Sequence, residues 1–375
     1  MKKYILHIIV IGFTFFMSSA VFAQDKNKTG FIQSDTMRQG KSIQFVALPI
    51  VFYTPETKFG FGGGGQLFFL KQTNQYNQRL SNIFFSAIYT SQGQFIFETT
   101  PQIYLGRGNY FIDMFYTFRI FPNSFWGIGP TTPESNKESY NQTTNKFDIS
   151  LLKRLPPNLN FGLSINYANY KITEVLEGGI LDSGTIPGSD GATISGLGAI
   201  FNLDSRDDIG APQSGNYLSL TARFSSELFG ATHSFNKFIF DLRTYQRLSK
   251  KSIIAFRLYN ENNFGDVPFQ GMASYGGGKN ARGYFNGRFI DKHMYIIQAE
   301  YRWRFKERWT LAGFGLVGSV NDLAGDLFSF NNLKPSFGGG IRFKLLKDQS
   351  TWLRLDYGKG IDGQNGIYFG VNEAF

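Results

Sequence analysis

Between His293 and Phe305 the chain alternates residue by residue. Tyr295, Ile297, Ala299, Tyr301, Trp303 and Phe305 fall on one face of an extended strand, and Gln298, Glu300, Arg302 and Arg304 fall on the other. Such a strand meets an apolar medium on one side and water on the other. The charged face cannot look at lipid, where a cation near the midplane costs about 2 to 4 kcal/mol. The pattern returns in Leu353, Leu355 and Tyr357 against Arg354 and Asp356. Sixteen such stretches can be counted, the first over residues 43–53 and the last over 366–375, each bounded by turn chemistry. The expectation is an all-β chain whose residues 42–375 form a single transmembrane antiparallel β-barrel of about sixteen strands, of outer-membrane type.

The N-terminus supports export. Lys2 and Lys3 precede an apolar run over 5–16, then Ser18, Ser19 and Ala20, and a Val21-Phe22-Ala23 site, so residues 1–23 read as a signal peptide cut after Ala23. The run is shorter than the roughly 20 residues of a spanning helix, and no later run is long enough, so any crossing must be made by strands. Residues 24–41 are polar and unpatterned and read as a flexible N-terminal periplasmic arm. The chain contains no cysteine, which excludes disulfides, thiolate metal sites and a lipid-anchored cysteine.

The formal charge is +10, and removal of Lys2 and Lys3 takes away two of those charges. Export argues against nucleic acid as the partner. Lipid and lipopolysaccharide phosphates at the membrane rim, or acidic groups in a wet lumen, are the partners that remain. The 41 Phe and 19 Tyr are more than a soluble core needs, and suit a lipid-facing band with interfacial girdles.

The connections alternate in length. Pro156-Pro157-Asn158, Ser249-Lys250-Lys251, Lys306-Glu307-Arg308 and Lys347-Asp348-Gln349 are tight, whereas 122–143, 176–191, 264–292 and 322–334 are long. Short turns face the periplasm and long loops face outward in such barrels, and an even strand number places both ends of the barrel on the periplasmic side. The final segment sets Ile367, Phe369 and Val371 on one face, with Glu373 as a misfit, and finishes on Phe375, which is expected to serve as a barrel-insertion signal. Only His233 and His293 remain after signal removal, so no Ser-His hydrolase site, no enzyme activity and no cofactor is expected. Gly62 to Gly65 is followed by no Gly-Lys-Ser/Thr and is not a phosphate loop.

Two segments are more specific. The longest loop carries Gly276-Gly277-Gly278-Lys279-Asn280-Ala281-Arg282-Gly283-Tyr284-Phe285, and an earlier turn carries Asp204-Ser205-Arg206-Asp207 followed by Pro212 and Gly215. The first resembles the sixth-loop V-R-G-F/Y signature of BamA/TamA-type outer-membrane barrels, the bacterial surface antigen family, with Ala281 in place of Val. The second resembles that family's D-x-R-D…P-x-x-G periplasmic turn. With Gly338-Gly339-Gly340-Ile341-Arg342, Leu355-Asp356-Tyr357-Gly358 and the final segment, the resemblance spans nearly all of 42–375.

The resemblance implies that the loop folds back into the lumen and that Arg282, with Gly283 and Tyr284, locks there against Glu300. A bidentate carboxylate would suit a confined guanidinium. The family's second acid aligns with Leu316, two residues after Phe314, so that partner is missing. The resemblance also implies a barrel that aids insertion or translocation of client polypeptides, through a seam between its first and last strands or through the lumen. Only 24–41 precede the barrel, so the chain reads as a short member without POTRA modules. A periplasmic protein or lipoprotein partner would then supply capture. The alternative is a passive loop-plugged pore, lined by residues such as Arg302, Arg304 and Arg354, or a structural barrel.

Overall fold

The computed structural model describes residues 43–54, 58–69, 81–326, 332–344 and 352–375. The expected signal peptide, the arm and the Lys347-Asp348-Gln349 turn lie outside the described residues. The first strands are β1 (Ile43–Thr54), β2 (Lys58–Phe69), β3 (Ser81–Thr90), β4 (Phe95–Leu105), β5 (Tyr110–Phe125) and β6 (Glu138–Leu155). Next come β7 (Leu159–Glu174), β8 (Ala192–Asp204), β9 (Gly215–Ser225), β10 (Phe235–Arg247), β11 (Ser252–Gly265), β12 (Ala273–Tyr275) and β13 (Phe289–Asp291). The last are β14 (His293–Lys306), β15 (Trp309–Asn321), β16 (Ser336–Lys344), β17 (Trp352–Lys359) and β18 (Asn365–Val371).

Sixteen of these form one antiparallel sheet in which every strand pairs with its neighbour in sequence, while β12 and β13 make a separate hairpin inside the long loop between β11 and β14. This is a transmembrane β-barrel of outer-membrane type. Its wall follows the alternation. On β7, Phe161, Leu163, Ile165 and Tyr167 are exposed to the outside, and Ser164, Asn166 and Ala168 between them are buried. On β14, Ile297, Tyr301 and Trp303 are exposed, whereas Gln298, Glu300 and Arg302 are at most 2% exposed. No helix among the described residues is long and apolar enough to cross a membrane. The two ends of the sheet order are β1 and β18, and among the described residues no paired ladder joins them.

Three differences from the sequence reading have physical causes. β5 and β6 pair as far as Phe125↔Glu138, well into the stretch read as a loop. Asn123, Ser124, Ser139, Asn141 and Gln142 break the apolar alternation there, and the inward side of that end carries Phe125, Tyr140 and the buried Glu138 and Gln142. The β12–β13 hairpin was not anticipated, being only three residues per strand. Finally, β18 stops at Val371 and does not run to Phe375: Asn372 adopts φ +65°, a conformation Asn tolerates better than most residues, and reverses the path. Residues 373–375 then run inward, where Phe375 and Ala374 are buried with Tyr245 and Ala255. Glu373 is therefore no misfit on a lipid face, because it faces the lumen.

At the long-loop end, Phe125, Tyr140, Leu181, Phe235, Val267, Phe269, Met272 and Ile290 form a buried apolar dome over the lumen. Trp126 lies against Phe285, with ring centroids 5.3 Å apart, and Arg288 reaches Thr132 at 2.9 and 3.0 Å, so two long loops interlock.

Candidate functional site

The loop between β11 and β14 enters the lumen through the β12–β13 hairpin, whose Tyr275 and Phe289 pack with Tyr284, Met294, Ile296, Leu316 and Val320. Its tip is held by its carbonyls. Arg354 Nη1 donates to Gly278 O at 3.2 Å, and Arg257 Nη1 and Gln298 Nε2 each donate to Lys279 O at 3.2 Å. The tip can lie flat on β17 because Gly358 is there: a Cβ at that position would come within 2.7 Å of Gly283 N and 2.8 Å of Arg282 C.

Arg282 and Glu300 come together. Arg282 Nη1 lies 2.7 Å from Glu300 Oε2 and equally 2.7 Å from Asp356 Oδ2, with all three side chains fully buried. The pairing differs from the expected bidentate fork, since one nitrogen is shared by two carboxylates. The guanidinium lies over the ring of Phe314, its carbon 3.6 Å from the ring centroid. Leu316 belongs to the apolar cluster around Tyr284. The acid that the sequence comparison lacked on β15 is supplied by Asp356 on β17.

The two carboxylates anchor a larger network. Arg342 reaches both Glu300, at 3.3 Å, and Asp356, and its Nε lies 3.0 Å from Glu373. Arg302 Nε lies 2.7 Å from Glu300 and 3.6 Å from Glu373, and Arg354 Nη1 lies 2.8 Å from Asp356. Four arginines thus share three acids. At this depth each charge is tolerable only because it is paired.

The other two motifs join the same network. In the Asp204–Gly215 turn, Arg206 forks onto Asp204 at 2.8 and 2.9 Å and lies over the Tyr217 ring. Asp207 Oδ1 accepts from Gln213 N at 2.9 Å and Ser214 N at 3.2 Å, closing the turn. Gly215 has φ +100°, and a Cβ there would meet Ser205 O at 2.3 Å. The carbonyl of Pro212 accepts from Arg302 Nη1 at 3.3 Å, and Arg302 Nη2 donates to Phe375 O at 3.1 Å. Glu373 N donates to Gly210 O at 3.0 Å. Turn and tail therefore meet at Arg302, and the loop joins them through the Glu300 that Arg282 and Arg302 share.

The seam strand is tied in as well. Tyr368 of β18 accepts from Gly283 N at 2.9 Å and donates to Tyr284 O at 2.8 Å, while Tyr284 donates its own hydroxyl to Pro335 O at 2.7 Å. Sequence reasoning missed Tyr368, Arg342 and Glu373 as parts of this site. Tyr368 and Arg342 share the inward parity of Gly370 and Arg354, so alternation places them in the lumen without naming their partners. His233 pairs with Asp266 at 2.6 Å and His293 approaches Asn262 at 3.1 Å. Among the described residues no group of acids and histidines could hold a metal.

Comparisons with known proteins agree with this fold. A sequence-family profile described as the Omp85 superfamily domain matches residues 61–375. No curated protein matches the chain. Among solved structures, BamA from Haemophilus ducreyi lacking POTRA domains 1–3 aligns with a TM-score of 0.61 at 13% identity, covering 88% of this chain and 70% of that one. CdiB from Acinetobacter baumannii aligns at 0.54 and 13%, and CdiB from Escherichia coli at 0.55 and 11%, each over 88% of this chain. The chain spans 60% and 62% of those two CdiB structures. At such identities the likeness shows a shared barrel fold.

Proposed function

The chain belongs to the Omp85 superfamily, and from that premise we propose that this outer-membrane barrel aids insertion or translocation of other polypeptides at the seam between β1 and β18. In this reading the short turns face the periplasm, and a separate periplasmic protein or lipoprotein delivers the client. A strand with unpaired N–H and C=O groups can template an incoming strand, so a seam between the first and last strands is where a client strand would add. The observation that carries the reading is the grip of the loop on that seam: Tyr368 ties β18 to Gly283 and Tyr284. Opening β18 therefore pulls directly on the loop tip beside Arg282, and loosening the tip leaves β18 held by its ladder to β17.

The test is a native pull-down from outer membranes with a tag placed in residues 24–41. A periplasmic or lipoprotein partner that stays bound, and whose loss lowers the level of other outer-membrane barrels, is the expected result. A barrel recovered alone, with other barrels at normal levels in its absence, sinks the reading.

A passive pore is the second reading, and it has its own observation. A cavity of about 70 Å³ in the lumen is lined by Lys146, Asp148, Asn166, Arg223 and Lys237. Tyr170, Ala168, Ile194 and Phe235 complete much of the lining, so its charged part is what suits water and small ions. Steady conductance of the unmodified protein in planar bilayers, with no retained partner, would favour it.

A further inference from the structure

The last hairpin carries a second fastening, at the long-loop end of the barrel. Residues 360–364 join β17 to β18 in a tight turn, with Asp362 and Gly363 at φ +54° and +76° and Gly360 N donating to Gln364 O at 2.9 Å. Gln364 Nε2 donates to Glu134 Oε2 at 3.1 Å, and Glu134 lies 230 positions earlier, in the loop between β5 and β6. In sheet order β1 to β4 stand between that loop and the seam, so this bond reaches over them to the hairpin on the other side.

The same carboxylate oxygen gathers two further groups. Trp126 Nε1 donates to it at 3.1 Å, and Arg288 Nε, from the loop between β11 and β14, lies 3.2 Å from it. Arg288 also stands over the Trp126 ring at 5.2 Å, as Lys137 does at 5.4 Å. A single helical turn, Glu134–Asn136, fixes where the carboxylate emerges, with Lys137 N donating to Glu134 O at 3.1 Å. Trp126 is 2% exposed, whereas the Glu134 side chain is 55% exposed. The carboxylate therefore stands at the lip of the mouth, with a buried indole and a guanidinium behind it and water in front. On the lumen side of the same turn, Ile361 N donates to Tyr284 Oη at 3.2 Å.

Such a contact can be made and broken. A hydrogen bond to a carboxylate is stronger than one between neutral groups, but at an exposed site water competes for both partners. Trp126 and Arg288 hold the carboxylate in place when Gln364 leaves, so the bond can re-form without rebuilding the loop. The ladder from Leu353↔Val371 to Lys359↔Asn365 runs the length of the hairpin, so its turn and its strands move together.

We infer that Glu134 is an outer latch of the seam: the β17–β18 hairpin swings away from β1 only when Gln364 has left Glu134, and the latch is worked from the long-loop side. The inference rests on the reading above in taking the seam between β1 and β18 as the working opening, and it adds the contact that regulates it.

The test is amide hydrogen exchange of peptides covering residues 365–371, on the full-length protein in nanodiscs. Gln364→Ala is expected to speed exchange there about three- to tenfold and to leave β6 and β7 unchanged. Glu134→Ala should act alike, and the double variant should do no more than Glu134→Ala. Should Glu134→Ala disturb its loop, Gln364→Ala decides alone, because it leaves Trp126 and Arg288 on the carboxylate. The chain has no cysteine, so Glu134→Cys with Gln364→Cys can be closed by oxidation, and the closed form should exchange more slowly than the unmodified protein until reduced. Unchanged exchange in folded Gln364→Ala, acceleration spread evenly over all strands, or no slowing by the closed disulfide would each overturn the inference. The broader reading fails separately: slowed exchange in the closed form, with other outer-membrane barrels at normal levels in cells that carry only that form, keeps the latch and discards insertion at this seam.

Discussion

Arg282 offers one nitrogen to two carboxylates, and that asymmetry decides which substitutions in the lock should hurt. With four arginines on three acids, losing an arginine evens the charge, whereas losing an acid leaves several buried cations short of a partner. Glu300→Gln and Asp356→Asn should therefore each lower the temperature at which the folded gel band is lost more than Arg282→Met does. Breaking a buried pair costs about 3 to 5 kcal/mol, less where the lumen is wet. Loss of Arg282 together with Asp356 should be far from additive, and additive losses would exclude a shared interaction. Gly358 gives a second prediction. Its substitution by Val places carbon against loop backbone that cannot move aside, so Gly358→Val should expose the loop tip to protease while Gly313→Val, in open space on β15, leaves it protected.

Much of this was readable in advance, and the limit is instructive. Alternation alone put Glu300, Arg302, Arg354 and Asp356 in the lumen. It could not say that Asp356, on a strand remote in sequence, would take the place of an acid at Leu316, because that depends on barrel curvature bringing β14 and β17 around one guanidinium.

Among the elements, the β12–β13 hairpin carries a titration. Burial pushes the Asp291 carboxyl up to about 6, with nearby Asp322 adding to the rise and the hydrogen bond from Lys292 N opposing it. A carboxyl whose folded pKa is raised contributes stability below its unfolded value, near 4, and loses it as pH climbs through the folded value. The hairpin should hence open more readily at pH 7.5 than at pH 5, by amide hydrogen exchange corrected for intrinsic rates. Asp291→Asn should flatten that difference, and a variant with unchanged pH dependence would place the titration elsewhere. The hairpin escaped the sequence reading because three-residue strands leave no periodicity to detect. The end of β18 escaped it because period-two spacing continues to Phe375 even though the backbone turns at Asn372; Glu373 on the apolar face was the one residue that disagreed.

For the molecule as a whole, two closures stand in series: the apolar dome at the long-loop end, and the loop tip with residues 373–375 deeper in the lumen. Deleting residues 276–285 should raise single-channel conductance in planar bilayers, and combining that with removal of the Phe125 and Phe269 side chains should raise it further. Conductance unchanged by the loop deletion would leave the dome as the sole barrier.

The clasp made by Tyr368 also bears on how the barrel is made. Tyr368 lies 85 positions after Gly283, so the loop tip leaves the ribosome before the strand that fastens it. Until β18 docks, Gly283 N and Tyr284 O have no hydroxyl to meet, and Asp356 reaches Arg282 only when β17 has docked. The settled loop is thus a certificate of completion, issued only to a barrel whose final strands are in place.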